Sequence, residues 1–165
     1  MGKNVNNYLE NLQKRKLPNN LRLNVKKNNN RALGRGIGRN GYMLKIYNKN
    51  GIQAARLYFR LTNSLIIASG ETIPQYEGRH IGTFLRAIAT KAGSINKKSK
   101  GVHFGTFTSN KATQRGVPNS TRILGRLGWK VTNAGKSGHK SEFNYKTTNM
   151  KAVNNAINNF LKSKN

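Results

Sequence analysis

The stretch Ser64–Leu85, SLIIASGETIPQYEGRHIGTFL, most narrows the folds open to this chain. An apolar run from Leu65 to Ala68 leads to Pro74, a turn with Gly78 and Gly82 follows, and an amphipathic helix begins. That order predicts strand, glycine-bearing turn and helix. The first N–H groups of a helix have no carbonyl one turn back, so they point outward and seat phosphate readily. Arg79 and His80 add charge and hydrogen-bond donors to the same turn.

A second pattern lies downstream in Asn119–Val131, NSTRILGRLGWKV. Asn119 suits a helix N-cap and Gly128 the left-handed residue that ends a helix. Between the two patterns, Val102 to Phe107 reads as a strand. Together they resemble the GNAT acetyltransferase superfamily, over roughly Tyr42 to Thr147. Its first signature is close to V-x-P-x-Y-R-G-K-G-I-G-T-x-L, which Pro74, Tyr76, Gly78, Ile81, Gly82, Thr83 and Leu85 match in register. Asn119, Arg126, Leu127, Gly128 and Trp129 fit the second.

The resemblance implies an α/β (α+β) fold: a mixed, mostly antiparallel, splayed sheet flanked by helices. It also implies an acetyl-CoA site between Leu65–Thr72 and Val102–Phe107, with Thr72, Gly78, Arg79, His80, Ile81, Gly82, Thr83 and Asn119 as cofactor-binding residues. Glu71, at the end of the signature strand, is the candidate catalytic base, with an ion pair to a nearby arginine as the simpler role. His103 is a second, weaker candidate for the base.

Four departures argue for weak or absent acetyl-CoA binding and little turnover. Leu124 stands where the family often has a proton-donating tyrosine. His80 replaces a glycine, and its Cβ crowds the approach of a pyrophosphate to the backbone. Glu77 puts negative charge beside the phosphate seat. Lys26 to Gly41 has too little apolar periodicity to form the two helices that usually wall the acceptor site.

Charge is the other strong constraint. The 165 residues hold 31 Lys and Arg against four acids, a formal net charge of +27. Solubility needs a magnitude of only about 2–8, so a polyanionic partner such as nucleic acid is expected. From Lys14 to Arg39 the chain carries Lys14, Arg15, Lys16, Arg22, Lys26, Lys27, Arg31, Arg35 and Arg39 with no acid. These are the candidate nucleic-acid-binding residues. GRGIG within this stretch looks like a phosphate loop, but no apolar strand precedes it, so a cationic loop is the better reading.

Organisation follows from periodicity. Residues 1–41 read as a basic N-terminal arm containing a short helix (about Asn4 to Lys16, from Val5, Leu9 and Leu12) and one short strand at Leu21–Val25. Residues 42–165 read as the GNAT-like domain, with a hairpin about Asn50-Gly51 and a C-terminal helix at about 149–162. The chain has no cysteine, and three scattered histidines lack metal-ligand spacing, so no metal is expected. No apolar run reaches membrane-spanning length. The expectation is a soluble protein, intracellular or carried inside a virion or ribonucleoprotein particle, with protein neighbours in an assembly and no membrane partner. Its 25 asparagines, with abundant Lys and Ile, fit an AT-rich genome.

Overall fold

The computed structural model describes residues 2–28, 40–106, 120–135 and 138–163. Helix α1 is Gly2–Gln13, followed by strands β1 Arg22–Asn28, β2 Gly41–Tyr47, β3 Gln53–Leu61 and β4 Leu65–Thr72. After the signature turn come helix α2 Ile81–Ile95 and strand β5 Lys100–Thr106. Residues 120–126 form helix α3. Strands β6 Lys130–Gly135 and β7 Gly138–Asn144 and helix α4 Lys151–Lys162 complete the chain.

The sheet has seven strands in the order β1-β2-β3-β4-β5-β7-β6. Every neighbouring pair is antiparallel except β4–β5. Consecutive strands β1 to β4 pair in sequence, and short turns join β2 to β3 and β3 to β4. The β2–β3 turn shows why: Gly51 takes φ +78°, and Asn48 Oδ1 accepts from the backbone N–H of both Asn50 and Ile52 at 2.9 Å. β5 can pair parallel to β4 only because α2 carries the chain back across the sheet.

Alternate strand residues point to opposite faces. Leu23, Leu44, Ile46, Leu57 and Phe59 share one face and meet Val5, Leu9, Phe84, Ile88 and Phe160 of the helices in a single core. Residues 2–28 of the expected arm therefore belong to the folded domain. β1 pairs with β2 from Arg22 to Asn28, and Val5 and Leu9 are fully buried. Amphipathic spacing predicted α1, but not that its apolar stripe would be covered by this core. Elsewhere the strand and helix expectations agree within a few residues, and residue 107 lies outside the described residues. α4 begins at Lys151, where Asn149 Oδ1 accepts from the Lys151 N–H at 2.8 Å.

A buried polar network ties α2 to the distal strands. Trp129 Nε1 donates to Thr90 Oγ1 at 3.2 Å, and the Tyr145 hydroxyl donates to the Thr90 carbonyl at 2.8 Å. Burial pushes the Tyr145 phenol pKa upward, so it remains a donor. Gly93 leaves the space in which Tyr145 lies, because a Cβ there would overlap the tyrosine hydroxyl. Gly93→Ala should cost about 1–3 kcal/mol. A lower urea midpoint at unchanged slope would register that loss, whereas an unchanged midpoint would show that Tyr145 moves aside freely.

Candidate functional site

The parallel seam between β4 and β5 is short. Leu65 pairs with Gly101, Ile66 with Val102 and Ile67 with His103, and then the strands part. From Gly70 to Thr72, β4 pairs only with β3, and the start of α2 lies beside it. The sheet thus opens where the signature turn delivers a helix N-terminus.

The turn itself is built from two left-handed residues. Gly78 takes φ +76° and His80 φ +64°, immediately before Ile81 opens α2. The first backbone bond of the helix runs from the Phe84 N–H to the His80 carbonyl at 3.0 Å. The N–H groups of Ile81, Gly82 and Thr83 precede it and have no carbonyl one turn back. Ile81 itself is a core residue, 1% exposed, so its side chain offers nothing to a ligand. The exposed Arg79 stacks over the Tyr76 ring, 5.0 Å from its centroid. Tyr76 is held in turn by Asn48, whose Nδ2 donates to its hydroxyl at 3.0 Å.

Arg86 is the side chain that sequence reading missed. It is 6% exposed, one turn into α2, and its guanidinium lies against the bare backbone of β4. A Cβ on Gly70 would come within 3.0 Å of Nη2, and one on Gly82 within 3.1 Å of Nη1. Nη1 donates to the Gly82 carbonyl at 3.2 Å, and Nη2 to Ser120 Oγ of α3 at 2.9 Å. Nε is buried and has no partner among the described residues. All four acidic side chains of the chain are among the described residues, and none pairs with Arg86. Burial without a counter-ion pulls its pKa down to about 10. The signal was present in FLRAIA, an arginine with apolar residues on both sides, where a helix stripe faces inward.

The other expected site residues scatter. Glu71 is exposed and pairs with Arg56 at 2.8 Å across the β3–β4 ladder, so the simple ion-pair role is the one found. Thr72 lies beside Gly82, its Oγ1 3.6 Å from where a Cβ would be. Leu124 is fully buried in the core. His103 is buried at the last rung of the seam, Nδ1 at 3.2 Å from the Ile67 carbonyl. Asn119, Arg31, Arg35 and Arg39 lie outside the described residues. Lys14, Arg15 and Lys16 follow α1 as an exposed cluster, while Arg22, Lys26 and Lys27 are on β1 rather than on a free arm. Among the described residues there is no cluster of three metal-ligating side chains, and no helix is long and apolar enough to cross a membrane.

No family model matches the chain, and no curated protein matches it by sequence. Solved structures do match. The chain is similar to a Bacillus subtilis acetyltransferase in complex with CoA at TM-score 0.55 and 8% identity, covering 75% of this chain and 98% of that one. A Lactobacillus plantarum protein assigned as an N-acetyltransferase gives 0.54 and 11%, covering 77% and 99%. Nourseothricin acetyltransferase gives 0.49 and 13%, covering 64% of this chain, which spans 65% of that protein's length. The fold of this chain is GNAT-like.

Proposed function

We propose that the chain is an acyl-CoA-dependent N-acyltransferase of slow turnover, with the cofactor held in the opening between β4 and β5. The observation that carries this reading is Arg86, a buried cation with no carboxylate partner beside a helix N-terminus. A buried charge of that kind is costly unless an anion meets it. A phosphate of CoA at the start of α2 would meet the Gly82 and Thr83 N–H groups and lie over the Arg86 guanidinium.

When bound, acyl-CoA supplies a thioester whose acyl carbon is open to attack by an amine. His103 Nδ1 faces the Ile67 carbonyl at 3.2 Å, which favours the ring hydrogen on Nδ1, and on this reading the neutral imidazole is the group that takes up the amine's proton. Leu124 has no proton for the departing thiolate, so on this reading the proton comes from solvent and turnover is expected to be slow. The similar acetyltransferase structures support the reading at the level of fold.

Calorimetric titration with acetyl-CoA tests it. Saturable binding is expected, and no heat at millimolar ligand would overturn the proposal. A companion variant, His80→Gly with Glu77→Arg, should bind acetyl-CoA more tightly. It removes a left-handed conformation costing an L-residue about 1–2 kcal/mol and replaces a negative charge with a positive one. Weaker binding by the variant would mean that the His80 ring itself contacts the ligand.

The net charge of +27 supports a second reading, a basic component of a nucleic-acid-rich assembly such as a ribonucleoprotein or virion interior. Binding of nucleic acid together with no binding of acetyl-CoA would favour it.

A further inference from the structure

We infer that the sheet face opposite the helices is a binding surface for single-stranded nucleic acid. This inference stands apart from the acyl-transfer reading and uses none of its residues.

The register assembles the surface. Arg22 and Lys26 on β1, Lys45 on β2, and Arg56 and Arg60 on β3 all occupy the face turned away from the core. Their strand neighbours Leu23, Leu44, Leu57 and Phe59 point the other way, into the core beneath the helices. Among the described residues no helix packs over the cationic face. Only Glu71, paired with Arg56 at 2.8 Å, and Glu142, paired with Lys140 at 2.7 Å, offset its charge. The Nε atoms of Arg56 and Arg60 are buried and have no partner among the described residues. Cations packed in strand rows repel one another, and a polyanion laid across the rows removes that cost.

Aromatic rings lie between these cations. The Arg22 guanidinium is 5.3 Å from the Tyr47 centroid and that of Arg56 is 5.5 Å from Tyr58. Lys140 Nζ is 5.9 Å from the Phe104 ring. Phe104 is 58% exposed although β5 lies inside the sheet, between β4 and β7. A solvated basic surface needs charge but not exposed rings. Rings and guanidinium planes interleaved with ammonium groups match unpaired bases, whose faces are open for stacking while their phosphates are neutralised. A duplex hides its base faces, and an acidic protein has none. Charge complementarity and exposed rings together therefore favour a single strand. The segment that sequence reading took for a basic N-terminal arm contributes through β1, as the edge row of this surface.

The test is fluorescence anisotropy of the full chain with a labelled uridine-rich 12-mer, a duplex of the same length, and heparin as a charge control. The single strand should bind at least tenfold more tightly than the duplex, despite the duplex's higher charge density. Log affinity should fall with log salt by roughly 0.7 per phosphate contacted. Phe104→Ala should weaken single-strand binding by roughly 5- to 150-fold, with duplex binding and the salt slope unchanged. Lys26→Ala with Lys45→Ala should lower the slope by roughly 1.4. Both sites are on the surface, and circular dichroism verifies that the variants fold. Equal affinity for duplex, heparin and single strand would overturn the proposal, as would an unaltered affinity for Phe104→Ala. An unaltered slope in the double lysine variant would likewise place the contact elsewhere and overturn it.

Discussion

Removing residues 1–16 should unfold the chain. Val5 and Leu9 are fully buried and Leu12 is 5% exposed, all within the one core. Burying each such side chain is worth about 1.5–3 kcal/mol, so the three together approach the about 5–15 kcal/mol that stabilises a whole domain. Two long-range hydrogen bonds go with them. The Val25 N–H donates to Gln13 Oε1 at 2.6 Å, and the Tyr42 hydroxyl donates to Asn6 Oδ1 at 2.8 Å. Far-ultraviolet circular dichroism of the truncated chain should therefore show loss of native signal or a greatly lowered urea midpoint. Leu9→Ala gives a graded version, with an expected cost of about 2–5 kcal/mol. A truncated chain with the full-length midpoint would make α1 dispensable and restore the separable arm.

Arg86→Met should make the protein more stable and a poorer binder of acetyl-CoA. Burial holds the Arg86 pKa at about 10 in the folded chain, below the ordinary range of an arginine. Below pH 10 both folded and unfolded chains carry the proton, so the cost of burying the charge is present in full. As pH rises through 10 towards the higher pKa of the unfolded chain, the folded chain releases the proton first, and stability climbs. At neutral pH the cost of burying the charge is therefore carried in full. Methionine fills similar space without charge, but the bonds to the Gly82 carbonyl and Ser120 Oγ are lost. Replacing buried charges by apolar residues is neutral to stabilising by about 1–4 kcal/mol, so a gain of a few degrees in melting temperature is expected. Acetyl-CoA affinity should fall about tenfold or more, as the loss of a charge-assisted contact requires. A lower melting temperature with unchanged affinity would make Arg86 a strut between α2 and α3 and nothing more.

How far the sequence could be read depended on whether the signal was local. The hairpin at Asn50-Gly51, the signature strand Leu65–Thr72 and the start of α2 at Ile81 were all legible, because turn chemistry and apolar periodicity act over a few residues. The pairing of Glu71 was legible as an alternative, since an acid on a strand beside arginine-bearing β3 has few other fates. What covers α1 was not, because an apolar stripe does not name its partner. The burial of Arg86 was hidden for the same reason: its counterpart surfaces, Gly70 and Ser120, are distant in sequence. The number of cations was legible in the sequence, but not the face on which they lie. Net charge carries no geometry, and only strand alternation in β1 and its register with β2 turn Arg22 and Lys26 towards one face.

The brevity of the β4–β5 seam couples occupancy to folding. Backbone pairing joins an antiparallel block of four strands to one of three by only three rungs, and the shared core and the helices over it do the rest. On the acyl-transfer reading, a ligand held where the strands part would touch both blocks and add cohesion that the short seam does not supply. By mass action, a ligand that binds only the folded form adds about 2.7 kcal/mol of stability at a hundred times its dissociation constant. On the acyl-transfer reading, a ligand seated there would act as a structural part of the sheet, and its removal would be felt in folding as well as in binding.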